Sequence, residues 1–242
     1  MKVISLVPSI TEALFDLGLT EKEVIGRTKF CIHPAEKVKN IEIIGGTKNL
    51  NLEKIKCLKP DLILANKEEN VKEQVESLMN DFKVIVYNTE TVEDNYYLIK
   101  NLGLLFNKEE KAQTFNMKIY DVLHQAKIHS TIKTAYLIWK NPYMTVGSDT
   151  FIHNILSEIG FENIFKNRTR YPEIKIEDLA MADLIMLSSE PFPFKEKHIA
   201  ELIEVYPDKK IMIVDGEAFS WYGTHIAKCE NYFRELILET EH

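Results

Sequence analysis

The chain has 242 residues, 45% of them hydrophobic, a net charge of −7 and three cysteines. That length fills a core in one large α/β domain or in two lobes of roughly 100 residues each, without disulfide staples. Basic residues interleaved with acids exclude the Lys and Arg clusters that a nucleic-acid backbone demands, though an acidic chain can still dock on a basic partner. No apolar run approaches the roughly 18 residues of a membrane span.

The opening MKVISLVPSITEALF carries a lone Lys2 and meets Pro8 and Ser9 before a signal-length apolar core can form. The expectation is a cytoplasmic chain as written, or a periplasmic or cell-surface one if the native start lies upstream. Val3 to Val7 is a short β-branched run suited to a buried parallel strand. Ser9 and Glu12 have capping-box spacing for a helix that Gly18 closes. Strand, turn and helix together place free amides at a strand end, where α/β folds bind ligands; the same pattern also describes a well-capped structural helix.

The stretch FCIHPAE, Phe30 to Glu36, follows the strand VIGRT and turns at Pro34, with Cys31 two positions from His33. The other cysteines, Cys57 and Cys229, fall on apolar faces of predicted helices, where thiols act as small hydrophobes.

Two later stretches echo each other. LKPDLILANKEE runs through a strand, Asp61 to Ala65, to Glu68; AMADLIMLSSEP runs through another, Asp183 to Leu187, to Glu190. A helix and a second strand follow each, Lys83 to Asn88 and Lys209 to Asp215, as in two variants of one αβαβ unit. Between them the spacing of Ala112, Phe115, Ile119, Val122, Leu123 and Ala126 predicts a long helix from Lys108 to about Ile128. The expected architecture is α/β. Two similar lobes, each a small mostly parallel sheet flanked by helices, are joined by one backbone helix: residues 1–90, a helical connector at 91–130, and 131–242.

SLVPSITEALFDLG, IIGGTKNLNLEKIKCLKPDLILANKEEN, WKNPYMTVGSDTFIHNIL, ENIF, RYPEI and SSEPFPFKEKH, in this order, resemble the helical-backbone receptors. These are the periplasmic-binding-protein-like group that includes the cobalamin-, siderophore- and haem-binding proteins of ABC importers. The resemblance implies a metal chelate, a cobalt corrinoid or an iron complex, held in a cleft between lobes, with no cofactor of the protein's own. Its ligand positions map to Pro8, Ser9, Phe30, His33, Gly46, Thr47, Lys48, Asn66, Trp139, Tyr143, Arg170, Tyr171, Trp221, Tyr222 and His225. His33 and His225 are candidate metal donors, the WYGTH segment being expected on the far lobe. Trp139 also reads as core of the strand YLIW, whereas Trp221 is expected to face the cleft.

The resemblance also implies that Glu68 or Glu69 and Glu190 offer one carboxylate per lobe to arginines of a permease; exposed carboxylates on rigid loops suit bidentate arginine pairs. The KEEN stretch reads equally as a solvated charge run.

The leading expectation is a substrate-binding protein of an ABC importer, and not an enzyme. One alternative is a cytoplasmic cofactor or metal receptor, or a chaperone, without a permease. Another is a hydrolase with Cys31 as nucleophile, or with Cys31, His33 and His225 around a metal, although neither GxSxG nor HExxH occurs. His153 and His198 read as structural or exposed; His124, His129 and His242 stand apart from other ligand types.

Overall fold

A computed structural model describes residues 1–128 and 131–241; His129 and His242 lie outside them. In chain order the elements are β1 (Val3–Ser5), α1 (Pro8–Asp16), β2 (Val24–Arg27), α2 (Ala35–Val38), β3 (Glu42–Ile43), β4 (Gly45–Gly46), β5 (Asn49–Leu50), α3 (Leu52–Leu58), β6 (Leu62–Asn66), α4 (Lys72–Met79), β7 (Val84–Tyr87), α5 (Val92–Phe106) and α6 (Glu109–Gln125). They continue with β8 (Ile132–Trp139), β9 (Tyr143–Thr145), α7 (Phe151–Glu158), β10 (Phe161–Asn163), β11 (Glu173–Ile174), a 3₁₀ turn (Ile176–Met181), β12 (Leu184–Ser188), α8 (Glu196–Val205), β13 (Lys210–Val214), α9 (Gly216–Ser220), a 3₁₀ turn (His225–Lys228) and α10 (Glu230–Glu241).

The chain divides into two compact units. The first comprises Met1–Thr89, Glu93–Lys118 and Tyr222–His225; the second comprises Glu90–Val92, Ile119–Trp221 and Ile226–His242.

In the first unit a five-stranded sheet runs in the order β3-β2-β1-β6-β7, every pair parallel. Its central strands carry Val3, Ile4, Leu62, Ile63 and Leu64, all buried, as an apolar run covered on both faces should be.

The second unit's sheet is β11-β9-β8-β12-β13, with β8, β12 and β13 parallel. One edge of β8 pairs with parallel β10 along its first half and with antiparallel β9 along its second. Ala135 and Leu137 of β8 join Ile185 and Leu187 of β12 in one core cluster, the period-two alternation of a pleated sheet.

The sequence echo is repeated in atomic detail. The Asp61 amide donates to the Lys2 carbonyl at 2.8 Å while the Lys2 amide donates to Asp61 Oδ2 at 2.6 Å. The Asp183 amide donates to the Lys133 carbonyl at 2.7 Å, and the Lys133 amide to Asp183 Oδ2 at 3.2 Å. The aspartate before β6 or β12 thus sets the register on the neighbouring strand in each unit.

Two expectations need correction. Helix α1 has Val7 at its N-cap with no side-chain cap: Pro8 occupies the first turn, Ser9 is buried, and Glu12 is directed to His225. The helix expected from Lys108 to about Ile128 is α6, Glu109–Gln125, and a further helix, α5, precedes it. They break at Asn107, whose φ is 55°, and the missing side chain of Gly103 lets Ala112 approach closely. Cys57 is exposed, since α3 buries only Ile55, whereas Cys229 is buried as expected.

Candidate functional site

The loop after β2 carries FCIHPAE and divides its side chains sharply. Cys31 is buried; Thr11 Oγ1 donates to its sulfur at 3.1 Å, and Thr28 Oγ1 lies 3.2 Å away. Burial pushes the Cys31 thiol above its ordinary value, which removes the thiolate that a nucleophile needs. Phe30, by contrast, is 50% exposed.

Phe30 meets the small hairpin β4-β5, whose turn is Thr47 and Lys48. Gly45 has a φ of +109°, and a Cβ there would come within 2.4 Å of the Asn49 carbonyl; a Cβ on Gly46 would touch the Phe30 ring at 3.3 Å. These two glycines let the hairpin form and let Phe30 lie against it. Phe30, Gly46, Thr47 and Lys48, all expected from sequence, line one cavity of about 500 Å³ together with Lys29, Ile43, Gly45 and Asn49.

The hairpin is tied to the turn after β6. Asn70 Nδ2 donates to the carbonyls of Leu6 (3.2 Å) and Thr47 (3.1 Å), and Lys48 Nζ to that of Glu68 (2.5 Å). Asn66 is buried, and its Oδ1 accepts from the amides of Glu68 (2.8 Å) and Glu69 (3.3 Å), so it shapes the turn that bears both carboxylates. Pro8 and Ser9, at the start of α1, are buried.

Tyr222–His225 groups with this first unit, a correction to the expectation that the segment belongs to the far lobe. It is clamped there. The Tyr222 hydroxyl donates to Glu69 Oε1 at 3.3 Å, Asn95 bonds both the amide and the carbonyl of Gly223, and Thr224 donates to Asp16 at 2.5 Å. His225 Nδ1 lies 2.9 Å from Glu12 Oε2, and its ring is 6.1 Å from that of His33. The two histidines are neighbours within one unit. Among the described residues no group of three or more His, Cys, Asp or Glu could hold a metal ion, so Cys31, His33 and His225 do not form the metal trio of the hydrolase alternative.

In the second unit Trp139 ends β8 at 40% exposure, edge-on to Phe192, rather than in the core. Tyr143 is half-buried on β9. Arg170 adopts a φ of 59°, donates its amide to Asp149 at 2.5 Å and lies over the Tyr171 ring. Trp221 is 8% exposed.

Glu190 sits in a turn built like that of Glu68: the Ser188 hydroxyl that ends β12 accepts the Glu190 amide, as Asn66 accepts the Glu68 amide. Its carboxylate accepts from Ser220 Oγ at 2.8 Å, and burial raises its pKa. His153 bonds Asn163 at 3.1 Å and is lowered by burial; His198 is buried and accepts the Lys195 amide.

Lys29, Gly45 and Asn70 were missed in sequence. Asn70 hides inside a charge run, and Gly45 stands next to a glycine already noted. The adjacency of Lys29 to Phe30 was the available signal.

The match to a family model described as periplasmic binding protein covers residues 3–189. The vitamin B12-binding protein of Pectobacterium atrosepticum is 31% identical over 189 residues, 74% of this chain and 67% of its own; that of Salmonella typhimurium is 30% identical over 184 residues, 74% and 68%. Among solved structures, the periplasmic vitamin B12 binding protein BtuF of Vibrio cholerae superposes with a TM-score of 0.84 at 19% identity, covering 99% of this chain and 97% of that one. The periplasmic haem-binding protein RhuT of Roseiflexus gives 0.82 at 14% identity, covering 98% and 96%. Both structures share the α/β two-lobe fold. With most of its length matched by the family model, the chain belongs to the periplasmic binding protein family.

Proposed function

We propose that this protein is the substrate-binding component of an ABC-type importer and that its ligand is a metal chelate: a corrinoid, haem or an iron siderophore. The observation that carries the reading is Phe30, a half-exposed aromatic laid against a glycine hairpin at the rim of a cavity of about 500 Å³. A flat apolar macrocycle gains contact area there at small entropic cost. Family membership and the vitamin B12-binding relatives point the same way.

The chelate is cargo, and the protein needs no cofactor of its own. His33, half-buried, and His225 beside it are the candidates for an axial contact to a bound metal. Catalysis is no part of this reading, as Cys31 is buried and held by threonines.

Glu68, Glu69 and Glu190 are proposed to meet a permease, each at a turn fixed by the last residue of a strand. Glutamine at all three, which removes the charge and keeps the oxygens that accept from Tyr222 and Ser220, should uncouple transport while leaving ligand affinity unchanged; normal transport by that variant would remove the assignment. The binding reading is tested by thermal shift against corrinoids, haem and ferric siderophores. One chelate should raise Tm in a saturable way, and a flat response across all three classes would refute it.

A further inference from the structure

The cavity beside Phe30 carries two cations. Lys29 Nζ stands 5.0 Å from the Phe30 ring centroid, and Lys48 occupies the hairpin turn on the same cavity. Neither lysine has a carboxylate partner among the described residues: Lys48 Nζ reaches only the Glu68 carbonyl, and Lys29 leans on the aromatic ring. Of the acids in adjoining segments, Glu42 pairs with Lys54, Glu69 accepts from the Tyr222 hydroxyl, and Glu68 meets Lys48 through its backbone carbonyl.

Two ammonium groups with no carboxylate partner among the described residues, beside an exposed aromatic in a chain of net charge −7, constitute a local positive spot on an acidic protein. A ligand that lays its apolar face on Phe30 would bring its rim to both lysines. We infer that Lys29 and Lys48 select chelates with anionic groups, carboxylates above all, at the edge of an apolar body.

This inference rests on the chelate-binding reading and deepens it by naming the charge of the ligand. Lysine acts here as a point charge that follows a carboxylate, in contrast to the fixed fork of arginine. Gly46 lies under both side chains, a Cβ there standing 3.3 Å from the Phe30 ring and 3.4 Å from the Lys29 stem.

The test uses matched pairs: haem against haem dimethyl ester, and a monocarboxylic acid of cyanocobalamin against cyanocobalamin itself. In at least one pair the acid should bind about tenfold or more tightly than its neutral partner. That preference should weaken with salt, shrink in Lys29→Gln and Lys48→Gln, and return in Lys48→Arg. Both lysines are exposed, so melting curves of the variants should overlay the parent's. Equal affinity for acid and neutral forms, unchanged in the variants, would overturn the inference while leaving chelate binding intact. Absence of binding to any of the four compounds and to ferric siderophores would instead overturn the chelate reading and this inference with it.

Discussion

Glu12 Oε2 and His225 Nδ1 lie 2.9 Å apart although 213 positions separate them in sequence. Their side chains are only 4% and 13% exposed. The contact belongs to the clamp that holds Tyr222–His225 in the first unit, together with Thr224 on Asp16 and Gly223 on Asn95. His225→Ala would leave a buried carboxylate without this partner, at a cost of about 3 kcal/mol in unfolding free energy. Glu12→Gln, which keeps the shape and a hydrogen-bonding oxygen, should cost less. Urea titrations of both variants check the order, and equal stability of the two would contradict the role given to the pair.

Gly45 should tolerate no side chain. Its φ of +109° and the 2.4 Å approach of a Cβ to the Asn49 carbonyl both oppose alanine. Gly45→Ala is expected to lose of order 1–3 kcal/mol, and to weaken chelate binding because the hairpin forms one side of the cavity. Chemical denaturation combined with a ligand titration reads both effects.

Glu190 gives a pH signature. Burial raises its pKa, so the native chain holds a proton that the unfolded chain has already released between the ordinary glutamate value and the raised one. More protons bound in the native state means that stability falls as pH rises through that window. Glu190→Gln should remove this slope, while its side-chain oxygen still accepts from Ser220. Melting temperatures of parent and variant across the mildly acidic range should therefore converge at the low end and separate in the variant's favour at the high end.

The three thiols should differ in kinetics. Cys57 is exposed, Cys229 and Cys31 are buried, and Cys31 is further deactivated by its raised pKa. One thiol should react rapidly with an aromatic disulfide reagent in the native protein. The other two should wait for unfolding, and Cys57→Ser should abolish the fast phase.

The sheets were legible because β6 and β12 are continuous apolar runs, each preceded by an aspartate and each closing on a polar residue before a glutamate. Their echo survives as matched backbone hydrogen bonds to Lys2 and Lys133. The capping box at Ser9 and Glu12 was not reliable, because spacing records what a carboxylate can reach locally and not the histidine that arrives more than 200 residues later. For the same reason no local pattern could place Tyr222–His225 in the first unit. Of the candidate site, Phe30, Gly46, Thr47 and Lys48 were found, since glycine pairs and turn residues announce a hairpin. Asn66 is expected as a ligand contact, and its turn-forming role, with Oδ1 accepting two amides, is not legible from local sequence.

The most direct measurement is an equilibrium titration of the parent protein and Phe30→Ala with whichever chelate raises Tm. Phe30 is half-exposed, so the variant should melt with the parent while binding at least tenfold more weakly, about the loss expected for removing a stacked aromatic face. Equal affinity in the two proteins would contradict the placement of the ligand against Phe30.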